Sequence, residues 1–163
     1  VKTITSVKLM VANPSNEILV VRRADNDEFR RRQRELPGGE ITITQYASRE
    51  ELNRQVISGG ARELWEETGL QLDDLDIVAV KGPITRTSKY GHINKRHLIV
   101  ARTAILAPAI RYDSVPGGPI EHFEHGWMTP GSAYEAVSHP VQRELIAAGA
   151  IMLARTGELE LVG

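Results

Sequence analysis

Three glutamates at helical spacing constrain this chain more than any other feature. From about Glu50 to Thr68 apolar residues recur at helical intervals, with Leu52, Val56, Leu64 and Trp65 as the inward candidates. Gly69 follows, where a left-handed residue ends a helix. Ser58-Gly59-Gly60 is a weak point, where either another backbone packs closely or the helix begins only afterwards. On this helix Glu63, Glu66 and Glu67 fall at i, i+3 and i+4, so their carboxylates share one face. Like charges so placed repel by about 0.2–0.5 kcal/mol per pair, and the negative end of the helix dipole adds to the penalty. Hard divalent cations offset such crowding, because Mg²⁺ prefers carboxylate oxygen and leaves sites for water and phosphate. The ordinary alternative for any E-x-x-E-E run is a solvated acidic face, here with Arg62 pairing Glu66.

The flanking residues separate these readings. Arg62-Glu63-Leu64-Trp65-Glu66-Glu67-Thr68-Gly69-Leu70, with Leu36-Pro37-Gly38-Gly39 upstream, resembles the core of the Nudix box, G-x5-E-x7-R-E-U-x-E-E-x-G-U, where U is a bulky aliphatic residue. The second half is met in full. The resemblance implies an α/β/α sandwich around a central mixed sheet, and a hydrolase that cuts a diphosphate linkage. It implies Mg²⁺, with Mn²⁺ as a substitute, held by Glu63, Glu66 and Glu67. It implies Arg62 orienting the carboxylates, and backbone at Gly38 and Gly39 approaching metal and phosphates, where glycine leaves no Cβ in the way.

The first half departs from the pattern. Gly39 lies 23 residues before Arg62 instead of fourteen, a nine-residue insertion between the glycine turn and the catalytic helix. Arg54 stands at the usual glutamate position counted back from Arg62, and Gln45 at the one counted forward from Gly39. Glu40, Glu50 and Glu51 are the candidates to fill the role. The departure motivates a second reading, a catalytically weak nucleotide-binding sensor or adaptor. Further on, Glu121-His122-Phe123-Glu124-His125-Gly126-Trp127 is similar to the E-H-x-x-x-x-W stretch that many Nudix enzymes carry late in the domain. That likeness makes Glu121, and after it Glu124, a further metal ligand or general base, and gives His122 and His125 no role. The bland reading is a polar loop ahead of a core Trp127.

Elsewhere the pattern is that of a mixed α/β chain read as one domain over residues 1–163. Val7–Ala12 and Ile18–Val21 read as strands around the turn Asn13-Pro14-Ser15-Asn16. Short strands are expected at Ile41–Ile43, at Ile77–Val80 and near Trp127, and a longer one from Leu98 to Leu106. Residues 85–96 read as a loop or hairpin end, and Pro116-Gly117-Gly118-Pro119 as a loop. Pro140 opens a last helix that turns Leu145, Ile146, Ile151 and Met152 inward.

Positive charge gathers in Arg22, Arg23, Arg30, Arg31, Arg32 and Arg34, and again in Lys89, Lys95, Arg96 and His97. Arg34 and Lys89 are the candidates for phosphates the metals leave unneutralised; the alternative is a solvated loop balanced by Asp25, Asp27 and Glu28. A net charge of -1 over 163 residues argues against a broad nucleic-acid surface; the partner that the resemblance implies is a small nucleotide-like molecule. Tyr46, Tyr90, Tyr112 and Phe123 are scattered, each able to stack on a base or to pack. No apolar run has the roughly 20 residues of a membrane span, no targeting segment is seen, and the cytoplasm is the default location. With no cysteine, disulfides, thiolate metal sites and a cysteine nucleophile are excluded. Dimers are common among proteins resembling the family, so a homodimer is admitted.

Overall fold

Strand β1 (Thr3–Ala12) organises the molecule because its side chains alternate between two separate cores. Val7, Leu9 and Val11 face one side of the sheet, Met10 and Ala12 the other. The computed structural model describes residues 2–24, 33–118 and 120–162, with side chains as far as residue 156. Arg30, Arg31, Arg32, Asp25, Asp27, Glu28 and Pro119 lie outside the described residues.

The remaining strands are β2 (Ile18–Arg23), β3 (Arg34–Glu35), β4 (Gly38–Glu40), β5 (Asp76–Thr87), β6 (Ile93–Arg102) and β7 (His122–Met128). Their order is β3-β2-β1-β6-β5, with β4 antiparallel to β1 and β7 antiparallel to β2. The β1–β6 pair is parallel through ten residues, and β5 and β6 form an antiparallel hairpin. Strands β1 and β2 pair only where Ala12 meets Ile18, and then diverge. The chain from Arg34 to Glu40 fills that fork, laying β3 on β2 and β4 on β1. The Leu9 amide donates to Pro37 O at 2.8 Å and so closes the gap between them.

Helix α1 (Arg49–Thr68) covers the face of Val7, Leu9, Val11 and Ile99 with the stripe Leu52, Val56, Gly60 and Leu64. Ser48 caps it, accepting from the Glu51 amide. Helix α1 passes unbroken through Gly59 and Gly60, and the close neighbours are side chains, not backbone. A Cβ on Gly59 would lie 2.5 Å from Ile41 Cγ2, and one on Gly60 2.5 Å from Ile99 Cδ1. Trp65 is half-exposed at the edge, not an inward position. On the other face α2 (Pro130–Ala136) and α3 (Pro140–Val162) bury Ala133, Leu145, Ile146 and Leu153 against Met10, Ile18, Leu98 and Val100.

The result is the expected sandwich with several boundaries moved. Ile41–Ile43 is not a strand; the strand is the glycine segment just before it, because the fork offers β1 a partner there, and only the Ile41 amide still bonds, to Thr5 O. Most of residues 85–96 belongs to the β5–β6 hairpin. The strand expected to reach Leu106 stops at Arg102, where Ala12 ends its parallel partner. Ile151 is exposed rather than inward. The short α2, with Thr129 capping the Ser132 amide, was not anticipated. Among the described residues no helix is long and apolar enough to cross a membrane.

Candidate metal centre and active-site cleft

The last two turns of α1 run beside the fork, and this places its carboxylates against the glycine segment. Glu67 is 6% exposed and accepts a hydrogen bond from the Gly38 amide at 2.7 Å. Gly38 has φ 142°, and a Cβ there would lie 2.0 Å from Val7 O, so backbone conformation and close approach both require glycine. Gly39 faces Glu63, whose Oε2 would lie 2.6 Å from a Cβ at that position. Arg62 donates through Nη2 to Glu63 Oε1 and to the carbonyl of Glu40, each at 3.1 Å, and its Nε lies 3.9 Å from Glu66. The box arginine therefore ties two carboxylates to the strand after the glycine turn. Gly69, at φ 73°, ends the helix by donating to Trp65 O.

Burial penalises these carboxylates as anions. Burial raises the pKa of Glu67 well above the ordinary value; Glu35 and Glu63 push it further up, while Lys8 and the Gly38 amide pull against them. Glu63 is raised by burial and by Glu66 and Glu121, with Arg62 opposing. Across the fork Glu35 behaves in the opposite way. It is also buried, but a hydrogen bond with His122 and the charges of Lys8, His122 and Arg23 outweigh that burial and hold its pKa at about 2. Its contacts are His122 Nε2 at 2.7 Å, Arg23 at 3.2 Å and Lys8 at 3.6 Å.

Glu121 enters from just before β7. A carboxylate oxygen each from Glu67 and Glu121 and a ring nitrogen of His122 lie within 4.8 Å of one another. Glu66, Glu67, Glu121, His122, Tyr112 and Val115 line a small cavity of about 150 Å³. On the other side of Glu66 and Glu121 opens a polar cleft of about 470 Å³. Its floor is the sheet itself. The alternation that sends Met10, Ala12, Leu98 and Val100 into the core turns Ile4, Ser6, Lys8, Asn94 and Arg96 into the cleft. Gly38, Gly39, Glu40 and Glu63 form one wall, and Arg23, His139 and Gln142 also line it.

Of the sequence candidates, Glu63, Glu66, Glu67, Glu121, Arg62, Gly38 and Gly39 come together. Arg34 and Lys89 line neither cavity. Arg34 is exposed on β3, and the Lys89 ammonium stacks on Tyr90 in the β5–β6 turn. Glu124 pairs with Arg22 at 3.6 Å, outside the carboxylate group. Of the three replacements considered for the box glutamate only Glu40 lines the cleft; Glu50 pairs with Arg54, and Glu51 accepts from the Ala47 amide. Sequence reasoning missed Lys8, Glu35, His122, His139 and Gln142. A lysine inside the apolar run Val7–Ala12 was a readable signal, but the Glu35–His122 pair spans 87 residues and left none.

The donor set suits a hard divalent cation: crowded, partly buried carboxylates beside a close backbone turn. An α/β/α sandwich with crowded carboxylates beside a cleft at the end of its first helix defines the class. Comparison with known proteins places it more closely. The model of the NUDIX domain matches residues 2–149, and the chain belongs to that family. A MutT-like protein of Streptomyces ambofaciens is 35% identical over 81 residues, a match covering 50% of this chain and 44% of that protein, so the aligned stretch is under half of the relative's length. Among solved structures the fold is similar to an Ap4A hydrolase of C. elegans, with TM-score 0.67 at 14% identity, covering 93% of this chain and 98% of that one. It is also similar to the MutT protein from Methanosarcina mazei Go1, with TM-score 0.60 at 22% identity and coverage of 91% and 94%. The NUDIX domain of Shewanella oneidensis NrtR, complexed with ADP ribose, aligns with TM-score 0.59 at 15% identity over 94% and 90%. At these identities the solved structures speak for the fold alone.

Proposed function

We propose that this chain is a Mg²⁺-dependent hydrolase that cleaves a P–O–P linkage in a nucleoside triphosphate or a nucleoside diphosphate joined to a second group. The observation that carries the reading is Glu63, Glu66, Glu67 and Glu121 converging beside Gly38-Gly39 at the mouth of a cleft floored by Lys8 and Arg96. Glu66, Glu67 and Glu121 would hold the cation, which when bound supplies charge stabilisation to phosphoryl oxygens and acidity to water.

The chain's own residues do the rest. Lys8, Arg23 and Arg96 bind phosphate oxygens in the cleft, the positioning and neutralising work that dominates phosphoryl transfer. The Gly38 amide fixes Glu67, and Arg62 fixes Glu63 and Glu66, so the carboxylates are oriented before substrate arrives. Glu63 takes the proton from the attacking water: it lines the cleft beside Glu66 and Glu121, and burial and those carboxylates raise its affinity for a proton. One P–O bond forms to the water oxygen, the bridging P–O bond breaks, and two phosphate-bearing products leave.

A screen of nucleoside triphosphates, ADP-ribose and dinucleoside polyphosphates with Mg²⁺ and Mn²⁺ tests this. Turnover of at least one, reduced to background by Glu67→Gln, is the result expected. No turnover of any leaves the second reading, a nucleotide-binding sensor or adaptor. One observation favours that alternative: Arg54, at the box-glutamate position, pairs with Glu50 on an exposed part of α1, so the helix offers no carboxylate there. It predicts ligand-induced thermal stabilisation without products.

A further inference from the structure

His122 is 1% exposed, yet only one of its ring nitrogens is accounted for. Nε2–H donates to Glu35 Oε1 at 2.7 Å, and Glu35 is kept a carboxylate by Lys8 at 3.6 Å and Arg23 at 3.2 Å. A carboxylate only accepts, so the proton of this bond belongs to the imidazole; metal ligation takes the ring in its neutral form, with the lone pair on Nδ1. Nδ1 is buried and has no hydrogen-bond partner among the described residues. Buried polar atoms left in that state are costly, and each calls for a physical reason. The imidazole borders the same cavity as Glu67 and Glu121, with a ring nitrogen within 4.8 Å of a carboxylate oxygen of each. An octahedral cation with ligands at about 2.1 Å spans roughly 4.2 Å between opposite donors, so small side-chain shifts close the set. A histidine that gives one nitrogen to a carboxylate and the other to a metal is a standing arrangement in metal sites, because the carboxylate fixes both tautomer and ring orientation.

We infer that His122 is, through Nδ1, a direct ligand of the cation held by Glu67 and Glu121, so that this centre is a mixed imidazole–carboxylate site tuned toward Mn²⁺ relative to Mg²⁺. The chemistry follows from donor preference. Imidazole suits first-row transition metals, whereas Mg²⁺ is served by oxygen ligands and water. Glu35 is then a positioning residue for the ring. This inference rests on the proposed cation site and adds a ligand to it.

Mn²⁺ alone, added to the full chain, is the probe. Pulsed electron paramagnetic resonance of bound Mn²⁺ is expected to show ¹⁴N coupling that changes when the protein carries ¹⁵N-histidine. The coupling is lost in His122→Gln and persists in His125→Gln and His139→Gln, the other histidines near the two cavities. Should His122→Gln fail to fold, persistence in those two variants together with the isotope effect carries the assignment. The Mn²⁺ to Mg²⁺ affinity ratio falls by about tenfold or more in His122→Gln, within the range for lost metal-site contacts. Glu35→Gln weakens Mn²⁺ binding by about 10–100-fold while the coupling remains. Mn²⁺ that binds without ¹⁴N coupling, or with coupling that survives His122→Gln or vanishes in His125→Gln or His139→Gln, overturns the His122 assignment and leaves the hydrolase reading standing. Absence of Mn²⁺ binding in the wild-type chain overturns both.

Discussion

Helix α1 carries glutamates at both ends, and the two ends behave as different chemistry. At its start Glu50 is exposed and pairs with Arg54 at 3.1 Å along the helix, while Glu51 accepts from the Ala47 amide ahead of the N-terminus. These carboxylates complement the positive end of the dipole and stay in water. At its finish Glu63 and Glu67 lie at the negative end, against the glycine segment, with their pKa raised by burial and by neighbouring carboxylates. The same residue type on the same helix is surface at one end and a centre at the other. What separates them is not the glutamate but what packs on it: the fork between β1 and β2, filled by Arg34–Glu40, exists only at the C-terminal end of α1.

Substitutions that move one end toward the other test this contrast. Glu63→Gln removes the proposed base and is expected to lower turnover by about 10²–10⁴-fold with little change in KM; an unchanged rate assigns the proton to another group. Gly39→Ala drives a methyl group into Glu63 Oε2, and displacing that carboxylate by about 1 Å is expected to cost on the order of 10² in kcat, measured on the best substrate of the screen.

The start of the helix gives a subtler signature. His97 is buried facing the α1 side of the sheet, and its pKa is lowered to about 4 by burial, then by Arg49 and Lys95. In the unfolded chain the ring takes up a proton near 6.5, so the folded state binds fewer protons between the two values. Stability contributed by neutral His97 is complete above about pH 6.5 and is lost as pH falls toward 4. Thermal melts across that window should show a shallower acid slope in His97→Gln than in wild type; equal slopes reject the assignment. Glu50→Gln, the smallest effect, should change stability by under about 0.5 kcal/mol in urea denaturation, as an exposed helix pair does, and leave turnover untouched.

What was readable in the sequence follows the range of each interaction. The run Arg62–Leu70 was legible because helical spacing alone brings its carboxylates together and Gly69 ends the helix locally. The β1–β2 turn was legible for the same reason: Asn13 Oδ1 accepts from the Ser15 and Glu17 amides within its own turn. The second layer of the site was not. Lys8, Glu35 and His122 meet only after three strands are paired across the fork, and nothing local in any of them names the other two. The basic loops misled for a related reason, since charge density marks solvent as readily as substrate. Lys89 ended in a hairpin turn, while Lys8 and Arg96, set on strands, reached the cleft by their register. The insertion was visible as a count but not as a shape: residues 41–48 connect β4 to a helix that starts at Arg49, so part of the added chain lengthens α1 itself.

Whether the finishing end of α1 is a cation site is tested most directly by thermal unfolding of wild type and Glu67→Gln with and without Mg²⁺. Glu67 is raised in the folded state, so it destabilises the metal-free protein as pH rises above its unfolded value. Metal-free Glu67→Gln should therefore melt higher than metal-free wild type at pH 7. Mg²⁺ at a hundred times its Kd should stabilise wild type by about 2.7 kcal/mol, or about 5–10 °C for a chain of this size, and should leave the variant unmoved. A melting temperature that responds equally to Mg²⁺ in both proteins, or in neither, would contradict a cation site built on Glu67.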